Sequence, residues 1–378
     1  MSHRLAITGI FFLNGAIFSA WYARLPAIQD GLALRPGQIG IALLGAPAGL
    51  LLVQPAIGAL VARRGSRALV AAAPLYMLTA ALPAVAVDLP TLVLAVFLAG
   101  AANGALDIAM NANGLVVERQ AGRPLFSSMH AAFSFGALTG AAAAGAFAAL
   151  GIQPLAHLLA WGGAGAIAAL ALIRHLLKDM PVGRAPGARR LARPSRRLAV
   201  LSAIAFCVLL AEGAVFDWSG IFVATETGAR ESVAALGLAA FSLTMGAGRL
   251  GGDALCARIG AVALARIGAV VAATGLGLAL IVASTPVALA GLGLMGVGLS
   301  VVFPLTLRAA GRDRAQELAA VSAIGYTGFL FGPPLIGLLA ELGDLRSALA
   351  LAVTACAVAA LLAPALREPD DRAESSRG

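Results

Sequence analysis

The chain has 378 residues, of which 60% are hydrophobic and only 12% are charged. Soluble domains carry roughly 25% charged residues, so this composition excludes the soluble class and indicates an integral membrane protein. The apolar runs are long enough for bilayer-crossing helices, which need roughly 20 residues, and do not alternate as barrel strands do. The net charge of +9 comes from basic residues in short loops between these runs, as membrane topology requires, so we expect no nucleic-acid partner.

The apolar runs predict an all-α integral membrane protein with twelve transmembrane helices. Their predicted bounds, in chain order, are residues 5–24, 37–61, 68–87, 90–114, 126–150, 154–174, 198–223, 233–256, 264–283, 287–308, 318–341 and 346–364. We predict a six-helix bundle over residues 1–174, a basic linker over 175–197, a second six-helix bundle over 198–364 and a polar tail over 365–378. The abundance of glycine and alanine fits closely packed membrane helices.

The basic residues also predict an orientation. With both termini in the cytoplasm, all of the 27 Lys and Arg residues lie on the cytoplasmic side except Arg24, Arg35, Arg230 and Arg346. The positive-inside rule favours this arrangement. We therefore expect a multi-pass membrane protein with both termini cytoplasmic. The basic linker is interpreted as a topological loop, with binding to anionic lipid as the alternative.

The two predicted bundles repeat each other in sequence. Gly15-Ala-Ile-Phe18 in span 1 matches Gly213-Ala-Val-Phe216 in span 7. The segment from Gly58 to Gly65 after span 2 matches the one from Asp253 to Gly260 after span 8. The glycines of span 5 match those of span 11 at a constant separation. Two parallel six-helix repeats are typical of transporters that bind substrate at mid-membrane between the halves.

A loop signature and this repeat together carry a family resemblance. Gly58, Leu60, Arg63, Gly65 and Arg67 follow span 2 in the pattern Gly-x-Leu-x-Asp-Arg-x-Gly-Arg-[Lys/Arg], although Ala62 replaces the signature's Asp and Ser66 its next Arg. In this pattern the chain resembles the major facilitator superfamily over essentially its whole length. The resemblance implies a cytoplasmic gate that forms in one state and breaks in the other, built here from Gly58, Arg63, Gly65, Arg67, Arg249, Asp253 and Arg258. An isolated helix-end ion pair between Arg249 and Asp253 is the alternative.

Two further motifs narrow the resemblance. They are the run from Asp107 through Asn111 and Asn113 to Glu118 and Arg119, and the run from Phe126 through His130 to Gly136. In these residues the chain is similar to a bacterial inner-membrane branch related to the fucose permease. This resemblance implies residence in the bacterial inner membrane.

Two intramembrane carboxylates are the candidate proton-coupling groups. Asn103, Asp107 and Asn111 are spaced four apart in span 4 and share one helical face. A carboxylate at membrane depth is costly and normally faces a bundle interior or a watery cavity. Burial also favours its protonated form, as proton coupling requires. Glu212, near the middle of span 7, is the second candidate; a purely structural role in helix packing stays open for Asp107.

The repeat places Asn14 in span 1 opposite Glu212. We expect Asn14, Asn103, Asn111 and Tyr326 to contact a polar solute. Asp217 and His130 stay open, either as participants or as local hydrogen-bonding groups. Arg24, beside Trp21 and Tyr22, fits an aromatic belt with an anchoring cation, and an outer substrate vestibule is the alternative.

These features predict a secondary active transporter, not an enzyme, that moves a small polar and possibly sugar-like solute by alternating access with proton coupling. No nucleotide-binding loop, cofactor motif or metal-ligand spacing occurs in the sequence, and a monomer is expected. The expected partners are the solute, protons and membrane lipid. Multidrug or metabolite efflux and a non-transporting membrane sensor are the alternatives.

Overall fold

A computed structural model describes residues 2–122, 125–178, 195–311 and 315–367. Most of the predicted linker and tail therefore lies outside the described residues. The α-helices are α1 His3–Tyr22, α2 Leu25–Gly31, α3 Pro36–Leu43, α4 Gly45–Arg64, α5 Ser66–Val70, α6 Ala73–Thr79, α7 Leu89–Ala121, α8 Phe126–Ala149, α9 Pro154–Ile173, α10 Arg196–Thr227, α11 Glu231–Ile259, α12 Ala261–Val282, α13 Thr285–Leu299, α14 Val302–Gly311, α15 Ala315–Leu342 and α16 Leu345–Leu362. Short 3₁₀ helices cover Leu82–Val85 and Ala363–Leu366.

The prediction of twelve membrane helices is confirmed. Within the described residues, twelve helical segments are long and apolar enough to cross a bilayer. The first of these runs from His3 to Gly31, further than predicted, because only two residues separate α2 from α1. Spans 2, 3 and 10 are likewise each built from more than one helical piece.

Local signals in the sequence set the ends of the longest helices. The Asp88 carboxylate accepts a hydrogen bond from the Thr91 amide at 2.9 Å and so caps the start of α7. The same helix ends at Gly122, which adopts a left-handed conformation with φ of 61°. Ser195 caps α10, and its hydroxyl accepts from the Leu198 amide at 3.1 Å. These caps allow α7 and α10 to run through the membrane without interruption.

Helix packing in residues 195–367 repeats the packing in residues 2–178. Helix α1 packs on α8, α4 on α7 and α6 on α9, and the equivalent pairs α10–α15, α11–α13 and α12–α16 pack in the second half. Glycines allow the closest approaches. A Cβ on Gly136 would collide with the backbone of Phe12, and a Cβ on its sequence match Gly328 would lie 2.5 Å from the Phe206 carbonyl oxygen.

The turn after span 2 is also repeated. Gly65 has φ 79° and ψ 160°, and its sequence match Gly260 has φ 81° and ψ 157°. Side-chain-bearing residues rarely adopt this conformation, so both turns require glycine. Each glycine ends one span and starts the next within a single residue, and the two chain segments therefore share a backbone geometry as well as a sequence pattern.

Both ends of the described chain lie at the same end of the helix bundle. The His3 Nδ1 atom lies 2.9 Å from the carbonyl oxygen of His175, which follows span 6. We call this end the terminal face and the opposite end, which contains Asp88 and Glu231, the distal face. An even number of spans requires that the chain after α16 return to the terminal face.

Candidate transport site

The polar strip on α7 lies near the middle of this helix. Asn103, Asp107 and Asn111 are all partly buried. The Asn111 amide nitrogen donates to the Asp107 carboxylate at 3.0 Å and to the Asp107 carbonyl oxygen at 2.8 Å. The Oδ1 atoms of Asn103 and Asn111 are buried without a hydrogen-bond partner among the described residues. These oxygens are therefore available to accept hydrogen bonds from water or a polar solute.

A second charged cluster contains Glu212, Arg249 and Ser134. An Arg249 guanidinium nitrogen lies 3.5 Å from a Glu212 carboxylate oxygen, and both side chains are largely covered, with 14% and 12% exposed. Another Arg249 nitrogen donates to the Ser134 hydroxyl at 3.0 Å. Glu212 and Arg249 belong to the second half and Ser134 to the first. Arg249 therefore joins the halves at the depth of the polar strip.

This arrangement corrects the prediction of a local Arg249–Asp253 pair. Arg249 contacts Glu212 and Ser134, whereas Asp253, one turn further along α11, is exposed near the terminal face. Helical spacing permits an i, i+4 pair. The tertiary packing of α8 and α10 against α11 instead draws the guanidinium inward. The expected pairing of Arg249 with Asp253 is therefore wrong for this structure, and the cytoplasmic-gate role of these residues stays a prediction.

Tyr326 on α15 faces the same region from the second half. Its side chain is 51% exposed, although it lies at mid-span. Asp107, Glu212 and Arg249 are all within electrostatic range of its hydroxyl. The exposed side of Tyr326 therefore borders an open space between the halves, with the α7 strip on one wall and the Glu212–Arg249 cluster on another.

Asn14, a predicted site residue, and His130, whose role stayed open, are placed differently from the strip. Asn14 is only 1% exposed, and its amide nitrogen lies 3.6 Å from the Met110 sulfur inside the first half. It does not reach the open space in this conformation. The His130 ring packs edge-on against Phe11 with centroids 5.2 Å apart, and Arg249 is within electrostatic range of it. His130 therefore adjoins the second cluster.

At the distal face the two halves are closed against each other. Arg24 Nε lies 2.8 Å from Glu231 Oε1, and Arg24 is 2% exposed. A second Arg24 nitrogen donates to the Ile152 carbonyl oxygen at 2.7 Å. Buried Tyr22 of α1 and buried Asp217 of α10 lie within electrostatic range of each other across the two halves. The expectation that Arg24 anchors a lipid-facing aromatic belt is wrong, because the folded halves cover the whole Trp21–Arg24 segment.

Backbone contacts extend this closure to α3 and α15. A Cβ on Gly40 would lie 2.8 Å from the Pro333 carbonyl oxygen, and one on Gly337 would lie 2.8 Å from the Pro36 carbonyl oxygen. Arg35 and Glu341 form an ion pair of 2.9 Å beside these glycines. Because the distal ends are in contact, the open space at Tyr326 leads toward the terminal face.

The signature residues lie at the terminal face. Gly58 and Arg63 on α4 and Arg258 on α11 are exposed, Gly65 makes the tight turn described above, and an Arg67 guanidinium nitrogen lies 3.5 Å from the Arg174 carbonyl oxygen. Sequence reasoning missed Asn113, which is buried and donates to the Ser66 hydroxyl at 2.9 Å and to the Leu177 carbonyl oxygen at 3.2 Å. Asn113 lies two residues after Asn111, about 200° around α7 and so on the face away from the strip. Its place in the Asn111-x-Asn113 motif was the available signal.

Comparison with known proteins identifies the family. The family model described as Major Facilitator Superfamily matches residues 7–307 and 201–378. The chain belongs to the major facilitator superfamily. Membership confirms the prediction of a secondary transporter rather than an enzyme. One relative, an uncharacterized MFS-type transporter of Yersinia pestis, is 33% identical over 277 residues, covering 70% of this chain and 72% of the relative. Membrane protein MosC of Rhizobium meliloti is 30% identical over 362 residues, which cover 92% of this chain and 86% of MosC.

Solved structures share the superfamily fold with this chain. A nucleoside transporter, NupG, superposes with a TM-score of 0.73 at 14% identity, covering 97% of this chain and all of the other. The E. coli fucose:proton symporter FucP superposes with a TM-score of 0.63 at 18% identity, and the match covers 97% of this chain and 98% of FucP. A bacterial homologue of the human lysosomal transporter Spinster, in an inward-facing and occupied conformation, superposes with a TM-score of 0.70 at 17% sequence identity, and 96% of each chain is covered. At these identities the likeness establishes the fold alone, and it confirms the predicted twelve-helix class.

Proposed function

We propose that this superfamily member carries a small polar, sugar-like solute across the bacterial inner membrane with proton coupling, and that it is related to the fucose permease branch. The observation that supports this is the pairing of a carboxylate from each half at one depth. Asp107 comes from the first half and Glu212 from the second, on either side of the open space at Tyr326. A substrate bound between the halves can therefore contact both carboxylates.

In this proposal the terminal face is cytoplasmic, and the conformation is inward-facing. The bias of Lys and Arg toward the terminal face supports the orientation. The distal contacts of Arg24 with Glu231 and of Tyr22 with Asp217 close the site from the opposite compartment. The solute would leave toward the terminal face, and breaking these contacts would open the distal entrance.

Arg249 supplies the proposed link between protonation and movement. It contacts Glu212 in its own half and Ser134 in the other. A proton that binds Glu212 removes the negative charge that holds the guanidinium. Protonation of Glu212 would therefore release the Arg249–Ser134 contact between the halves, and deprotonation would re-form it. Asp107, held by Asn111, is the second proposed proton carrier.

The polar groups around the space favour a hydroxylated solute over a lipophilic cation. The unpartnered oxygens of Asn103 and Asn111 accept hydrogen bonds, and the Tyr326 hydroxyl both donates and accepts. Asn14, covered here, would join the site only if α1 moves relative to α7. An efflux pump for lipophilic cations would instead present acids within a mainly apolar pocket.

The test begins with thermal shifts of detergent-purified protein against sugars, polyols, amino acids and lipophilic cations, because a ligand that binds the folded state raises its apparent stability. Hits are then assayed for uptake into proteoliposomes under an imposed pH gradient. We expect Asp107→Asn and Glu212→Gln to abolish gradient-driven accumulation. Asp88→Asn, which removes an exposed acid yet preserves the helix cap, should behave as wild type. Full accumulation by both membrane-acid variants would refute the coupling, and stabilisation by lipophilic cations alone would favour efflux.

A further inference from the structure

An apolar groove lies between α11, α12 and the α13–α14 region, away from the central space. It has a volume of about 440 Å³, and its walls include Gly248, Gly251, Gly252, Leu255, Ile267 and Val301. Volumes of roughly 300–1,000 Å³ are typical of pockets that hold a small organic ligand. The groove is large enough for a ligand-sized apolar chain and contains one charged residue, Arg258.

Glycine on α11 creates this groove. A Cβ on Gly251 would meet no atom within 4 Å, so the surface of α11 is open there. A Cβ on Gly252 would lie 2.9 Å from the Val301 side chain and one on Gly248 would collide with Ser300, so these two glycines mark where α11 closes against the end of α13. Gly268 and Gly298 likewise hold α12 and the end of α13 in backbone contact, since a Cβ on either would collide with the other helix. The close helix pair forms the floor, and the bare surface of α11 leaves the groove open above it.

The groove faces lipid rather than the transport site. Arg249 points inward to Glu212, and Gly251 is two residues further along α11, which places it about 200° around the helix. Leu255 and Ile267 on the groove walls are 44% and 53% exposed. Because this face of α11 lies opposite the inward-pointing Arg249, its exposed apolar side chains contact hydrocarbon rather than the central space. A molecule in this groove would therefore enter from the bilayer.

A single cation marks the membrane-surface end of the groove. Arg258 lies in the last turn of α11 at the terminal face and is exposed. Gly248 lies ten residues earlier, about 15 Å deeper along the helix. Within the described residues, no ion pair or hydrogen bond joins Arg258 to another side chain. The groove thus combines a hydrocarbon-lined channel with a positive charge at the headgroup level.

We propose that this groove binds one anionic phospholipid of the leaflet at the terminal face. One acyl chain lies along Gly248, Gly251 and Gly252, and the headgroup phosphate contacts the Arg258 guanidinium. Charge complementarity favours an anionic lipid, because a net negative headgroup is attracted to a basic residue at the membrane surface. Arginine also matches phosphate with paired donors. The proposal is independent of the transported solute and of proton coupling.

Native mass spectrometry of the full chain, titrated with phosphatidylglycerol or phosphatidylcholine, tests the site. We expect tight retention of one phosphatidylglycerol and a preference over phosphatidylcholine of roughly fivefold from one basic residue. Arg258→Gln should remove this preference, and Gly251→Leu should fill the groove and weaken retention of both lipids. The matched controls are Arg63→Gln, another exposed terminal-face cation, and Gly163→Leu, another membrane glycine with no atom within 4 Å of its Cβ position.

The outcomes separate a specific site from bulk lipid. Equal retention of both lipids by wild type, or equal losses in Arg63→Gln and Arg258→Gln, would overturn the proposal. Photo-crosslinking of unmodified protein with a diazirine-bearing phosphatidylglycerol provides a second measurement that needs no folded variant. Labelling concentrated between residues 248 and 268 is expected, and labelling spread evenly over the lipid-facing helices would also overturn it.

Discussion

Arg24 and Glu231 form an ion pair of 2.8 Å between the first and second halves of the transporter. Arg24 is 2% exposed and Glu231 27%, so the cation is the more deeply covered partner. A second guanidinium nitrogen of Arg24 also donates a hydrogen bond to the Ile152 carbonyl oxygen. Because this pair spans the halves at the distal face, it stabilises the conformation in which that face is closed.

Glu231→Gln should open the distal face. Removing the carboxylate leaves Arg24 covered and only partly compensated, which we expect to disfavour the closed state by on the order of 2 kcal/mol, below the range for fully buried pairs because Glu231 is partly exposed. Hydrogen–deuterium exchange should rise in peptides around residues 20–35 and 227–240.

Glu226→Gln is the matched control for that experiment. It breaks the Glu226–Arg346 pair of 3.2 Å, which lies within the second half, and so it should leave exchange across the halves unchanged. If both variants raise exchange equally, Arg24–Glu231 has no special role in closure.

The Glu212–Arg249 cluster predicts that mutations of its two members change the stability of the protein non-additively. Glu212→Gln should lower thermal stability by about 2 kcal/mol, because it leaves the largely covered Arg249 charge without its partner. The double variant Glu212→Gln/Arg249→Gln should recover most of that loss, since two neutral amides can hydrogen-bond to each other. Denaturation of all four members of the cycle measures the coupling. Additive losses would mean that the 3.5 Å contact contributes nothing to the fold.

The repeated glycine turns predict matched backbone effects. Gly65→Ala and Gly260→Ala should each destabilise the protein by about 1–2 kcal/mol, because alanine is strained at φ near 80°. Gly58→Ala is the control: Gly58 is helical and its Cβ position is open, so alanine should be neutral or slightly stabilising. Thermal unfolding in detergent measures all three. A loss in only one of the two turns would contradict their equivalence.

The cap of α7 predicts a loss of stability in acid. Hydrogen bonds from the Thr91 hydroxyl and amide hold the pKa of Asp88 below its ordinary value of 3.8. A lowered folded-state pKa contributes stability that is present above the unfolded value and is lost as pH falls through the folded value. Wild-type stability should therefore fall more steeply below pH 3.8 than that of Asp88→Asn, whose amide caps at every pH. Parallel melting curves between pH 3 and 6 provide the measurement, and identical slopes would rule out this contribution.

The sequence by itself determined the membrane spans and their order. Span count, the α7 polar strip and the glycine turns follow from local properties: apolar length, four-residue spacing and the need for a positive φ at Gly65 and Gly260. The internal repeat predicted correspondences between halves, and the packing of α1–α8 and α10–α15 matches it. None of these features depends on which distant helix lies opposite.

Partner choice was decided only by the tertiary structure. Arg249 has Asp253 one turn away in sequence but contacts Glu212 and Ser134, because α8 and α10 bring those groups to its inward face. Arg24 was expected at a lipid interface and lies instead between the halves, paired with Glu231 more than 200 residues later. Sequence spacing gives the face on which a side chain lies. The neighbour that covers that face is set by how twelve helices pack, since a buried charge takes the partner that long-range packing supplies.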